Sequence, residues 1–201
     1  MGRPAGASTT DPSPQEGRDL GHYNRPMAGP AVDAILYLLA EAFEGGGLEE
    51  SNESQALLTN LATVDAATWR ARPQGATRTI ESMVLHVGAC KIMYGDYAFG
   101  PGTKQGGTPE VEGWIDGEAP MAEAIEWLRG THRSFVEHVR ALTDDDLDRP
   151  RKTNWGEQQP TRWIIAAMIG HDFYHAGEVN HLRSMLGTDD RWRWQQLENP
   201  A

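Results

Sequence analysis

The chain has 201 residues, a formal net charge of −11 and a single cysteine. That length suits one domain with a sizeable core, and the acidic balance opposes sequence-independent binding to nucleic acid, which needs clustered Lys and Arg to neutralise phosphates. Cys90 alone allows no intramolecular disulfide, residues 1–30 lack the apolar segment of a secretory signal, and no uncharged apolar run approaches the roughly 20 residues that span a bilayer; the expected setting is cytoplasmic, with neither a nucleic-acid nor a membrane partner.

Residues 1–29 hold four of the twelve prolines and few large apolar side chains. They cannot repay the entropy of ordering, so a flexible tail is expected ahead of a domain over residues 30–201. Over 31–43, Val32, Ile35, Leu36, Leu39 and Phe43 recur at three- and four-residue steps, which predicts a helix with one apolar face, stopped at Gly45, Gly46 and Gly47. A helical stretch over 51–64, through Leu57, Leu58, Leu61 and Val64, is expected to continue that helix after a break, with Asp65 capping the next turn. The run from Arg72 to Gly75 reads as a connector. After it, Thr77 or Thr79 caps a helix reaching to about residue 99, whose inward stripe is expected to be Met83, His86, Cys90, Met93 and Tyr97.

Residues 100–117 are rich in glycine and contain Pro101 and Pro109, the composition of a long exposed loop, and loops of that length in compact domains are often functional. A third helix is predicted over 121–142 through Ile125, Leu128, Phe135, Val139 and Leu142, ending before Asp144, Asp145 and Asp146. A polar loop around Trp155 leads to a last helix over 161–186, which Gly187 stops. Four long amphipathic helices with no strand alternation and no short repeat describe an all-α four-helix bundle. Trp192 and Trp194 are expected to fold back over it, and its apolar faces and tryptophans would suit a homodimer.

The chemistry lies in the histidines. His171 and His175 stand four residues apart, and at about 100° per residue their imidazoles leave nearly the same face of a helix. Neutral imidazole is a good ligand for zinc, nickel, copper or iron, and such a pair needs one more ligand from a facing helix to make an open three-coordinate site; the alternative is a surface pair or hydrogen-bonded interface histidines. His86 is a third candidate, because an imidazole on an apolar stripe needs something to satisfy its nitrogens, either a metal or a neighbouring residue. Glu178 falls about 20° from His171 around the helix, where it suits a fourth ligand, a partner to a ligand, a base, or a plain polar residue of the bundle. Cys90, one turn from His86, suits a ligand, a thiolate or a small buried hydrophobe. His22 sits in the tail, His132 and His138 fall on a charged helix, His181 lies about 80° off the His171 face, and Asp172, also off that face, suits a cap or a bridge between helices. No Gly-x-Ser-x-Gly elbow and no phosphate-binding Gly-Lys-Thr loop is present.

Several segments together resemble the DinB/YfiT-like superfamily: Ala42-Phe43, the run from Arg72-Pro73 through Thr79-Ile80-Glu81 to Leu85-His86-Val87, Asn154-Trp155-Gly156, and above all Gly170-His171-Asp172-Phe173-Tyr174-His175-Ala176-Gly177-Glu178. The likeness covers residues 31–187 and implies a bundle of the up-down-down-up type. It also implies a metal centre in which His86, His171 and His175 take the places of the family's three metal histidines. The family often carries Gln where this chain has Glu178, and the segment 45–50 departs from its usual spacing.

What such a likeness implies is zinc or nickel, sometimes iron, with open positions for water or a thiol. Relatives of that kind include thiol S-transferases using bacillithiol, mycothiol or glutathione, and a maleylpyruvate isomerase. The expected function is therefore a metal-dependent transferase that activates a low-molecular-weight thiol, with an electrophilic small molecule entering beside residues 100–117 and Glu178 as its catalytic residue. A composition rich in Ala and Arg and poor in Lys points to a GC-rich bacterium, and hence to a mycothiol-like thiol. The alternatives are a hydrolase using metal-bound water, and a non-catalytic stress-response protein with a structural metal.

Overall fold

The computed structural model describes residues 29–45, 56–114 and 118–187. The expected tail and the two late tryptophans, Trp192 and Trp194, lie outside them. Four long helices form the bundle: α1 (Pro30–Phe43), α4 (Ile80–Phe99), α6 (Met121–Arg140) and α7 (Thr161–Met185). Short helices α2 (Leu57–Leu61), α3 (Ala66–Trp69) and α5 (Pro109–Glu112) decorate the connections, and a 3-10 turn (Asp144–Asp148) follows α6. None of the described helices is long and apolar enough to cross a membrane.

Local sequence explains the boundaries. Thr79 caps α4 with a capping box in which Ser82 N donates to Thr79 Oγ1 and Thr79 N donates to Ser82 Oγ, and Asp65 and Thr68 do the same for α3. Gly45 follows α1 at a φ of 79°, where a side chain would be strained. Two expectations change. The stretch expected over 51–64 appears among the described residues as the short α2 of Leu57–Leu61. The polar loop around Trp155 contains a two-stranded antiparallel hairpin, β1 (Pro150–Lys152) with β2 (Gln158–Pro160); three-residue strands are too short to leave a period-two signature in sequence.

Contacts along the helices fix their directions. A Cβ on Gly88 would run into the Trp127 ring, and one on Gly95 would meet Phe135 and His138, so α4 and α6 run parallel. Asp144, just past α6, accepts from the backbone N of Ala31 and Val32 at the start of α1, while Phe43 at the end of α1 stacks on His132 in mid-α6, so those two run antiparallel. Arg78 and Lys91 on the α4 side meet Glu178 and Asp172 of α7 in reverse order. The result is an up-down-down-up bundle.

The core falls into two apolar clusters. One holds Phe43, Val84, Val87, Leu128, Ala176 and Val179; the other holds Leu39, Phe135, Val139, Ile165 and Met168. Between them, in sequence along each helix, sits a polar layer of Lys91, His132 and Asp172. Lys91 Nζ donates to Asp172 Oδ2 at 2.7 Å with both side chains 0% exposed. His132 stacks on Phe43 with ring centroids 3.7 Å apart, its Nδ1 3.9 Å from Asp172 Oδ2. The expected stripe of α4 is corrected accordingly: Met83 and Cys90 are buried, but His86 is exposed and Met93 and Tyr97 are only half-buried. Helix α4 packs against both α6 and α7, so its buried surface is broad and takes in Val84, Val87, Gly88 and Lys91.

Breaking a buried pair strands a charge, whereas replacing both partners with apolar groups removes the desolvation penalty with the attraction. Lys91→Met is expected to lower unfolding free energy by about 3–5 kcal/mol, and the double variant Lys91→Met/Asp172→Leu to recover most of that loss. Urea denaturation of both variants measures this; a single variant as stable as the parent would show that the pair is not ionised.

Candidate metal centre

Because α4 and α7 are antiparallel, the first half of α4 faces the middle and second half of α7, and His86 is set opposite His171 and His175. The four-residue spacing places the two α7 rings 4.4 Å apart, and the His86 ring lies 5.1 Å and 5.0 Å from them. All three rings point the same nitrogen inward. His171 Nε2 is 3.2 Å from His86 Nε2 and 3.1 Å from His175 Nε2. His175 is buried, His171 half-buried and His86 exposed, so the group opens to solvent on its α4 side.

Hydrogen bonding alone is a poor account of this convergence, since each neutral imidazole carries one N–H and three rings cannot satisfy one another at a single point. A divalent ion accounts for it better. Tetrahedral bonds of about 2.0–2.1 Å hold ligand nitrogens about 3.4 Å apart, close to the 3.1 and 3.2 Å seen here. The three-histidine group can therefore hold a metal ion.

The imidazoles are prepared for that role without a proton to displace. Burial lowers the pKa of His86, helped by the Arg78 charge. Burial and then the His175 and His86 rings push His171 down to about 3. His175 is also lowered by burial, against the opposing pull of Glu178. All three are neutral at neutral pH, the form that ligates.

Glu178 lies beside the outer nitrogen of His175: its Oε2 is 2.7 Å from His175 Nδ1. Its other oxygen, Oε1, accepts from Arg78 Nη1 at 3.2 Å. The carboxylate thus favours the tautomer with a proton on Nδ1, which leaves Nε2 as the donor atom. Sequence reading overlooked Arg78, which is 100 positions from its partner and has no local signature. Cys90 Sγ lies 3.7 Å from His86 Nε2, but burial, with Glu112 adding to it, pushes the thiol up to about 11, so it stays protonated at neutral pH. Asp172 bridges helices, one of the roles its position suited. His132, which the sequence set aside as part of a charged helix, is 3% exposed, while the charged residues of α6 are exposed.

A four-helix bundle carrying a three-histidine group between two of its helices is a recognisable class of metal-site architecture. A family model described as the DinB superfamily matches residues 51–179, and the chain belongs to that superfamily. No curated protein matches it.

His132 gives the fold a measurable acid sensitivity. Burial, and then the Lys91 charge, push its pKa down to about 2, so the folded chain refuses a proton that the unfolded chain accepts near 6.5. A depressed histidine contributes stability that is whole above the unfolded pKa and is lost as pH falls below it. Between pH 7 and pH 5 this loss should be about 2 kcal/mol from His132. His132→Phe, which keeps the stack on Phe43, should flatten the pH dependence of unfolding by about that amount; an unchanged slope would place the titration elsewhere.

Proposed function

We propose that the chain is a metal-dependent enzyme in which His86, His171 and His175 hold a divalent ion and which transfers a low-molecular-weight thiol, mycothiol-like, to an electrophilic small molecule. The observation that carries this reading is the meeting of three Nε2 atoms at 3.1 and 3.2 Å on rings that burial keeps neutral. An all-nitrogen donor set suits zinc or nickel first and iron next. A divalent ion held there supplies Lewis acidity, lowering the pKa of a bound thiol or water so that a nucleophile exists at neutral pH.

The chain's own residues divide the remaining work. Exposed His86 leaves the α4 side of the group accessible to a small molecule. Arg78 holds Glu178, and Glu178 holds His175 by its outer nitrogen, so this carboxylate is read as a positioning group for the ligand set. A hydrolase would use the same imidazoles, and leaving thiol out of the assay separates the two readings.

Elemental analysis of protein purified without added metal, paired with a thiol-dependent activity screen, tests the proposal. His86→Ala, His171→Ala and His175→Ala should each lower metal content sharply, and stoichiometric metal in any one would remove that residue from the site. Glu178→Gln should keep the metal while turnover falls about 10–100-fold. Full occupancy with unaltered turnover in that variant would leave Glu178 an ordinary polar residue.

A further inference from the structure

Beyond Glu178, on the side away from the converging nitrogens, lies a cavity of about 480 Å³. That volume is within the range of small-molecule sites. It is walled by the connector before α4, the first turns of α4 and the last turns of α7, and none of the described residues of the glycine-rich loop lines it. Access to Glu178 from this side therefore differs from the entry expected beside the glycine-rich loop. The floor is apolar, with Met83 4% and Leu182 5% exposed. Over it stands Tyr174, an aromatic ring 62% exposed in the middle of a helix.

Thr77 and His181 also line the cavity, and its charged residues are an unequal pair. Glu178 has both oxygens engaged, one by His175 Nδ1 and one by Arg78 Nη1. Arg78 is committed through Nη1 alone, and its Nε and Nη2 have no partner among the described residues. A cation entering here would have to displace Arg78 from Glu178, whereas an anion meets spare donors in a planar fork suited to carboxylate. An ion on the three neutral imidazoles would add positive charge to this side of the bundle.

The geometry points to this cavity as the site of an organic carboxylate with an apolar body, its carboxylate on Arg78 and its hydrocarbon part between Met83, Leu182 and the Tyr174 ring. As a substrate class for the proposed transferase, this assignment rests on the metal reading; as a binding site, it stands without a metal.

Gly177 provides the test, because it lines the cavity and a Cβ placed on it meets nothing within 4 Å. Gly177→Leu puts an apolar side chain at the cavity wall from a Cβ position that is free, and replaces a poor helix former with a good one. The probes are 4-phenylbutyrate and its uncharged counterpart 4-phenylbutanol, titrated calorimetrically into the full chain, metal-free and zinc-loaded. The carboxylate should bind about tenfold or more tightly than the alcohol, and Arg78→Met and Gly177→Leu should each weaken it by a similar factor. Gly177→Leu should still take up cobalt(II), read from its visible absorption. Equal binding of alcohol and carboxylate, no binding of the carboxylate by the parent chain, or unaltered binding in Gly177→Leu would each overturn the assignment. A parent chain that binds the carboxylate but takes up no cobalt would instead overturn the metal reading and leave the cavity assignment standing.

Discussion

Lys91 Nζ meets Asp172 Oδ2 at 2.7 Å with neither side chain touching solvent, and this contact sets the register of α4 on α7. Apolar clusters above and below it are tolerant of sliding, since leucine and valine contacts are non-directional. A buried ion pair is not. Shifting α4 by one turn would separate the two charges and leave each uncompensated inside the protein, a penalty of several kcal/mol per ion. His132 adds a stacked imidazole to the same layer from α6, so three of the four bundle helices are tied at one level.

The three-histidine group hangs from that layer. Asp172 follows His171 directly in sequence, and Lys91 lies five residues, about one and a half turns, beyond His86. Fixing Lys91 on Asp172 therefore fixes the distance between the helix positions that carry His86 and His171. The apolar cluster containing Val87 and Ala176 then closes the side of the group away from solvent. Burial does two jobs: it keeps the imidazoles neutral, and it excludes water from the inner side while exposed His86 leaves the outer side open. The outermost support is Arg78, which reaches Glu178 and through it the back of His175. A chain of contacts thus runs from the solvent-facing wall of the cavity to the ligand nitrogens.

How much of this was legible in the sequence follows from the range of each interaction. The His171 to His175 spacing and the cap at Thr79 are local, and helical geometry alone reads them. The bundle is legible because four amphipathic periods need one another to bury their faces. His86 was drawn in by its stripe, although the structure puts it at an exposed edge of α4, and the resemblance of Leu85-His86-Val87 to the family pattern was the better guide. Lys91 and His132 were missed for a physical reason: a lone lysine in a helix and a histidine on a charged helix read as surface residues unless their partner 81 or 40 positions away is known. Arg78 was missed likewise. The hairpin around Trp155 escaped because three-residue strands carry no period.

The account stands on nitrogen ligation by three histidines, and X-ray absorption of the zinc-loaded protein tests it most directly. The expected first shell holds nitrogen or oxygen scatterers at about 2.0–2.1 Å, with the outer-shell pattern of three imidazole rings. A sulfur scatterer at about 2.3 Å, which only Cys90 or a methionine could provide from this chain, or a pattern fitted by fewer than three imidazoles, would contradict it.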